Sequence, residues 1–253
     1  VLGLTLSFDP RNQGAVPWVI AQTAARGSIS SIVGPVGSGK TLYMIALAVR
    51  AAADGKQVAA IISREHPSTY ALLVGAAVQV ADLDEATRET VRIGAFHHDA
   101  TLSQLRFDTD DGLQQLEETL RAVDILIVDD IDGVFGVPSR AVMQRIAAAV
   151  RGSNAALVMV CRDNSAHEAP LRGVATTVLT LDRVTGGDVH VVYDTRGLAP
   201  SAPELFRITA QQVAVGTGDT VAVPALVAPP SLPSSVTSAT PRPHGQINQQ
   251  LVN

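Results

Sequence analysis

Residues 34–41 read Gly34-Pro35-Val36-Gly37-Ser38-Gly39-Lys40-Thr41 and fit the pattern G-x-x-x-x-G-K-[ST] at every fixed position. Each residue type in the pattern answers a requirement of phosphate binding. Glycines let the backbone curl so that successive N–H groups converge on phosphate oxygens. The lysine neutralises the β and γ phosphates, and the Ser or Thr hydroxyl reaches Mg²⁺. The flanks fit as well. Residues 28–33 alternate polar and apolar as a strand does, and 41–53 carry apolar residues at helical spacing. A strand that turns through glycines into a helix sets an anion at the helix N-terminus. Nucleotide contacts are therefore expected from Gly34, Pro35, Val36, Gly37, Ser38, Gly39, Lys40, Thr41 and Leu42. ATP, or another nucleoside triphosphate, with Mg²⁺ is the species such a loop holds.

Outward from the loop, strand-like and helix-like runs alternate. Residues 58–63 predict a second strand, 68–80 a helix capped by Ser68, and 91–96 a short third strand. Residues 109–123 predict a helix with Asp110 and Asp111 in its first turn, where acids suit the helix dipole. Residues 124–128 and 155–161 are nearly continuous in apolar residues, as strands covered on both faces should be, with a helix over 139–150 between them. This alternation implies an α/β fold: a mainly parallel twisted sheet with helices on both faces. Later, 177–181 and 189–194 flank Thr185-Gly186-Gly187-Asp188 and predict a C-terminal β-hairpin. Beyond Val223 the chain turns rich in Pro, Ser and Ala, which predicts an extended tail. Three segments result: an N-terminal segment 1–27, a core 28–209 and a C-terminal extension 210–253.

The composition narrows the class further. Of 253 residues 46% are hydrophobic, enough for a large core, while the net charge of −5 gives no bulk support for nucleic-acid binding. One cysteine, Cys161, excludes an internal disulfide. No run approaches the roughly 18 apolar residues of a membrane span, and 1–30 lack the pattern of a signal peptide. A soluble protein in a reducing compartment is expected. Trp18 is expected to pack the entry segment on the core, the 82–92 charge run to be an exposed helix face, and His97-His98-Asp99 to be a solvated loop.

Ile125-Leu126-Ile127-Val128-Asp129-Asp130 is an apolar strand ending in two acids. After such a strand, the first acid of a P-loop protein holds Mg²⁺ through water, which assigns Thr41 and Asp129 to the metal. Hydrolysis also needs a base. The place after Asp129 holds another Asp rather than a Glu, whereas RecA-like ATPases carry a Glu at the end of the strand that follows the loop's helix. Ile61-Ile62-Ser63-Arg64-Glu65 occupies that place, so Glu65 is the candidate base. Cys161-Arg162-Asp163-Asn164 follows the next strand, where Asn164 is a candidate sensor of the γ-phosphate. Arg196, after the hairpin, and Arg207, in Leu205-Phe206-Arg207-Ile208, are candidate arginine fingers acting on a neighbour's nucleotide.

The order of these features, with Val-Asp-Asp-Ile-Asp-Gly-Val-Phe-Gly at 128–136, resembles the packaging NTPase of cystoviruses, bacteriophages with segmented double-stranded RNA genomes. The resemblance spans 28–209. It implies a RecA-like core, a homo-hexamer on the viral procapsid, and ATP-driven translocation of single-stranded RNA. Location would be the virion, at the procapsid vertex, in an infected bacterial cytoplasm. By position it makes Lys40, Glu65, Asp129, Asn164, Arg196 and Arg207 the catalytic set. Loops 136–140 and 165–172 would face a central channel, with Arg172 or Arg140 on RNA phosphates. The family carries a further domain before its core, so 1–27 would be the remnant of a trimmed one. Two other readings stay open: a RecA-like DNA helicase or recombinase, and a nucleotide-binding switch without efficient turnover.

Overall fold

The computed structural model describes residues 18–20, 22–63, 65–97, 106–134, 139–184, 186–198, 202–215 and 218–227. In chain order the elements are β1 (Trp18–Ile20), β2 (Ala24–Ala25), β3 (Ile29–Gly34), α1 (Lys40–Ala53), β4 (Val58–Ile62), α2 (Pro67–Val80), α3 (Glu85–Thr90), β5 (Ile93–His97) and α4 (Asp110–Ala122). There follow β6 (Ile125–Asp129), α5 (Ile131–Val134), α6 (Arg140–Ser153), β7 (Ala156–Arg162), α7 (Glu168–Val174), β8 (Thr177–Arg183), β9 (Val189–Thr195), β10 (Glu204–Ala214) and β11 (Thr220–Val227).

Nine strands form one mixed sheet in the order β11-β10-β9-β8-β3-β7-β6-β4-β5. The run from β8 to β5 is parallel throughout. From β8 outward to β11 the pairs are antiparallel. The protein is thus α/β, with a large, mostly parallel sheet flanked by helices, an arrangement compatible with a RecA-like core.

Strict alternation of side chains explains why the inner strands read as unbroken apolar runs. Ile125 and Ile127 of β6 face the core under α1 and α2, whereas Leu126 and Val128 face the core under α4, α6 and α7. All four are fully buried. β4 and β7 divide their residues between the two cores in the same way. Helix starts follow local chemistry. Thr109 accepts from the Gly112 N–H at 3.1 Å to begin α4, and Ser139 accepts from the Val142 N–H at 3.1 Å to begin α6.

Several expectations change. Helix α2 is capped by His66, not Ser68: the His66 ring accepts from the Ser68 N–H at 3.3 Å, and Pro67 takes the first helical position. The 82–92 run, by contrast, is the exposed helix expected: it holds α3, none of whose residues is buried. In the entry segment Val19 and Ile20 are the buried anchors, while Trp18 is half-buried. Loop 165–172 is partly helical, because α7 begins at Glu168. The largest difference lies at the C-terminus. The 209/210 boundary falls inside β10, and β11 pairs with it from Arg207–Val227 to Ala214–Thr220. Val213, Val223, Ala225 and Leu226 join the core under α1 and α2. Pro224 is tolerated because β11 is an edge strand, where a missing N–H need not face a partner. The tail expected beyond Val227, His98 and Asp99, and residues 136–138 lie outside the described residues. No helix among the described residues is long and apolar enough to cross a membrane.

The placement of β11 is open to test. Ala225→Asp would bury a charge at a site 1% exposed and is expected to lower unfolding stability by about 3 kcal/mol or more. Ala222→Asp, on an exposed position of the same strand, should change it by less than about 0.5 kcal/mol. Equal urea midpoints for the two variants would remove β11 from the core.

Candidate functional site

β3 ends at Gly34 against the neighbouring strand β8. A Cβ on Gly34 would overlap the Leu181 carbonyl, so the chain can leave the sheet here only without a side chain. Five residues later Gly39 adopts φ +90° and sits directly before α1, a conformation that L side chains resist. The first N–H groups of α1 have no intrahelical partners and point into the loop they close. A glycine loop closed by a helix N-terminus is a geometry that suits an anion. Within it Ser38 is buried, and its hydroxyl has no hydrogen-bond partner among the described residues.

Lys40, the first residue of α1, bends back over the loop, its ammonium donating to the Gly34 and Pro35 carbonyls at 2.7 Å each. Burial holds the Lys40 ammonium below its ordinary pKa; Asp163 and Asp129 oppose that shift and Arg162 adds to it. The next residue, Thr41, donates to Asp129 at 3.2 Å. That contact joins the start of α1 to the end of β6, across the intervening strands. Ser63, just past β4, donates to the Asp129 carbonyl at 2.9 Å and to the Asp130 carbonyl at 3.1 Å. The ends of β4 and β6 are thus clipped together, and the chain turns at Asp130 with φ +62°.

Loop and acids share one cleft of about 380 Å³. Val36, Gly37, Gly39, Lys40, Thr41 and Leu42 form one wall, and Glu65, Asp129 and Asp130 form another. Arg162 and Arg183 add cations at the ends of β7 and β8, and Ile208 and Pro224 close the cleft from the antiparallel strands. No family model matches this chain, and no curated protein matches its sequence. The functional reading therefore rests on these residues.

A magnesium ion fits this donor set. Thr41 and Asp129 bring a hydroxyl and a carboxylate to one point, and hard oxygen ligands few in number are what Mg²⁺ takes beside substrate phosphates. Among the described residues no group of three or more His, Cys, Asp or Glu side chains could form a protein-only metal cage.

The remaining sequence candidates are dispersed. Asn164 is exposed, in a left-handed turn, with its amide on Asp163 at 3.4 Å; it is not part of the cleft wall. Arg196 donates to the Arg172 and Gly173 carbonyls at 2.9 Å each, at the C-terminal end of α7. Arg207 pairs with Asp188 at 3.4 Å and is 71% exposed. Neither lines the cleft of its own chain. Arg172 is paired with Glu168 at 2.8 Å on α7, and Arg140 is exposed at the first position of α6. Arg162, Arg183, Ile208 and Pro224 escaped the sequence reading. For Arg162 the signal was present, two residues before Asn164 and at the end of an apolar strand.

Asp129 makes the site sensitive to pH. Burial is the main cause that raises its carboxyl from 3.8 to about 6; Glu65 adds to the rise, while Thr41 and Lys40 oppose it. Between about pH 4 and 6 the native protein keeps a proton that the unfolded chain has released, so stability falls as pH rises through this window. In metal-free solution Asp129→Asn should therefore gain about 1–3 kcal/mol over the wild type at pH 7.5. Near pH 4 the two proteins should be alike. Thermal unfolding with a chelator at both pH values measures this, and an equal difference at both would show that Asp129 is not held protonated by burial.

Proposed function

We propose that this chain is a Mg²⁺-dependent nucleoside triphosphatase of the RecA-like P-loop class. The observation that carries the proposal is one cleft in which a glycine loop, Lys40, the Thr41–Asp129 pair and Glu65 all converge. The loop N–H groups would bind the phosphate chain, with Lys40 leaving its two carbonyl partners for the β and γ oxygens. Thr41 and Asp129 would hold Mg²⁺, which draws charge from the phosphate oxygens when bound. Glu65 would accept a proton from water as that water attacks the γ-phosphorus and the bond to the β–γ bridging oxygen breaks. The three acids and the cations Lys40, Arg162 and Arg183 divide this work by position rather than by net charge.

Glu65→Gln removes the base and leaves the cradle. It is expected to retain nucleotide affinity and lower kcat by about 10² or more. Lys40→Ala should abolish turnover. If Asp130→Asn gives the Glu65→Gln phenotype while Glu65→Gln does not, the base is misassigned.

The resemblance to cystovirus packaging enzymes extends the proposal to a homo-hexameric motor that moves single-stranded RNA into a procapsid. In that arrangement Arg196 and Arg207, which lie away from their own cleft, would act on a neighbour's nucleotide, and Arg172 or Arg140 would meet RNA. Arg207 gives the cleaner test, because Arg196 also holds the end of α7. Mixed assemblies of Lys40→Ala and Arg207→Ala subunits should recover part of the turnover that each variant lacks alone, since fingers contribute about 10³–10⁵ in kcat. Full activity of Arg207→Ala by itself would remove the finger; RNA-independent turnover by a monomer would remove the motor, and nucleotide binding without turnover would favour the switch reading.

A further inference from the structure

Arg162 is the last residue of β7, which lies between the loop-bearing strand β3 and the acid-ended strand β6. Register sets Arg162 directly beside Gly34, and the next N–H, of Asp163, donates to the Gly34 carbonyl at 3.2 Å. The same carbonyl accepts from Lys40. Arg162 thus borders the phosphate cradle through the backbone as well as through its side chain, which lines the cleft.

The guanidinium Nε is buried and has no hydrogen-bond partner among the described residues. A buried cationic donor without an acceptor is costly, and anionic oxygens remove that cost most fully. Lys40 lies close enough to Arg162 for its own ionisation to be opposed by it, so two cations meet over the loop. An anion seated between them relieves both the repulsion and the unmet donor. The buried, equally unpartnered Ser38 hydroxyl in the loop adds a third donor to the same place. Arg162 ends β7, the strand between loop-bearing β3 and acid-ended β6, and shares the cleft with Asp129, so its natural partner is the end of a phosphate chain beside the metal-binding acid and not its start.

We propose that Arg162 is a phosphate-binding residue supplied in cis, taking the terminal phosphate of a nucleoside triphosphate and distinguishing it from a diphosphate. This rests on the triphosphatase reading. It also moves the γ-phosphate contact at the end of β7 from Asn164 to Arg162. A planar guanidinium suits the task, since it gives several N–H donors to phosphate oxygens at a fixed angle.

The test compares affinities for β,γ-imido-ATP and ADP, each with Mg²⁺, by calorimetry on the full chain, with circular dichroism as the check on folding. The wild type should prefer the triphosphate. Arg162→Gln should weaken β,γ-imido-ATP by about 10- to 100-fold, the range for a charge-assisted contact, and ADP by less than about threefold. Arg162→Lys, which keeps the charge and loses the fork, should fall between. Wild-type affinities for both nucleotides in folded Arg162→Gln, or in Arg162→Lys should the Gln variant not fold, overturn the proposal. Equal losses for both nucleotides overturn the assignment to the terminal phosphate. Failure of the wild type to bind either nucleotide at millimolar concentration is a different result: it removes the triphosphatase reading, and the Arg162 assignment with it.

Discussion

The parallel pairing of β3 with β7 on one side and β8 on the other constrains everything chemical in this molecule. All six residues of β3 are buried, so a slip of its register by one would carry each side chain into the opposite core and undo the packing on both faces. That fixed register aims Gly34 at the Leu181 carbonyl and sets Arg162 beside it. Parallel strands also deliver their C-terminal ends to one edge, which is where open α/β sheets place ligands. The loop after β3, Glu65 after β4, Asp129 at the end of β6, and Arg162 and Arg183 ending β7 and β8 are consequences of that single geometric fact.

Gathering them has an electrostatic cost. Three carboxyl groups line a cleft of about 380 Å³, and burial lifts one of them to about 6. Lysine and arginine on the facing wall offset this only in part, because Lys40 is itself desolvated and spends its donors on backbone carbonyls. A divalent cation beside Asp129 and a polyanion over Lys40 and Arg162 would each reverse the local penalty, and would do so best together. On the proposed reading, a magnesium–polyphosphate pair would therefore relieve more of this cost than either component alone.

Features encoded in short contiguous stretches were legible from the sequence. The glycine loop, the strand–helix alternation and the 185–188 turn needed no tertiary information, and the hairpin appears as β8 paired with β9. The helices expected over 109–123 and 139–150 appear as α4 and α6, because their apolar spacing is local, as are the first-turn acids of α4. What depended on distant neighbours was misread. His66 caps α2 by accepting from the Ser68 N–H across Pro67, a choice invisible to a search for Ser. The end of β10 and all of β11 are weakly patterned, and Val213, Val223, Ala225 and Leu226 are buried by packing under α1 and α2, so 210–227 looked like an extension. Arg162 and Asn164 are two residues apart, and only the pairing of β7 with β3 shows which borders the cradle. The roles proposed for Arg196, Arg207, Arg172 and Arg140 lie on surfaces between molecules, so no local pattern in the sequence encodes them.

The antiparallel half of the sheet is more than an appendage, because it is wired to the helix that follows the loop. Tyr43 of α1 shares a 2.7 Å hydrogen bond with Tyr193 of β9, and Tyr193 donates to Glu204 of β10 at 2.8 Å. Burial pushes the Tyr43 hydroxyl up to about 12, so this chain stays neutral at its phenols and intact across ordinary pH. Phe206 sits edge-on to Tyr43 with ring centroids 5.3 Å apart, an arrangement aromatic pairs favour. Two residues further along β10, Ile208 reaches the cleft, and Val189 at the start of β9 packs over Gly39. The same strands therefore set the apolar wall of the cleft and press on the loop that forms its polar end. A change in the β9–β11 arrangement cannot leave the loop untouched, nor can movement of the loop leave Ile208 in place. Arg207, between Phe206 and Ile208, points away from the cleft, exposed and tied only to Asp188. Whatever meets Arg207 on that outer face acts on the strand that walls the cleft, and this gives an external contact a direct mechanical route to Ile208 and the glycine loop.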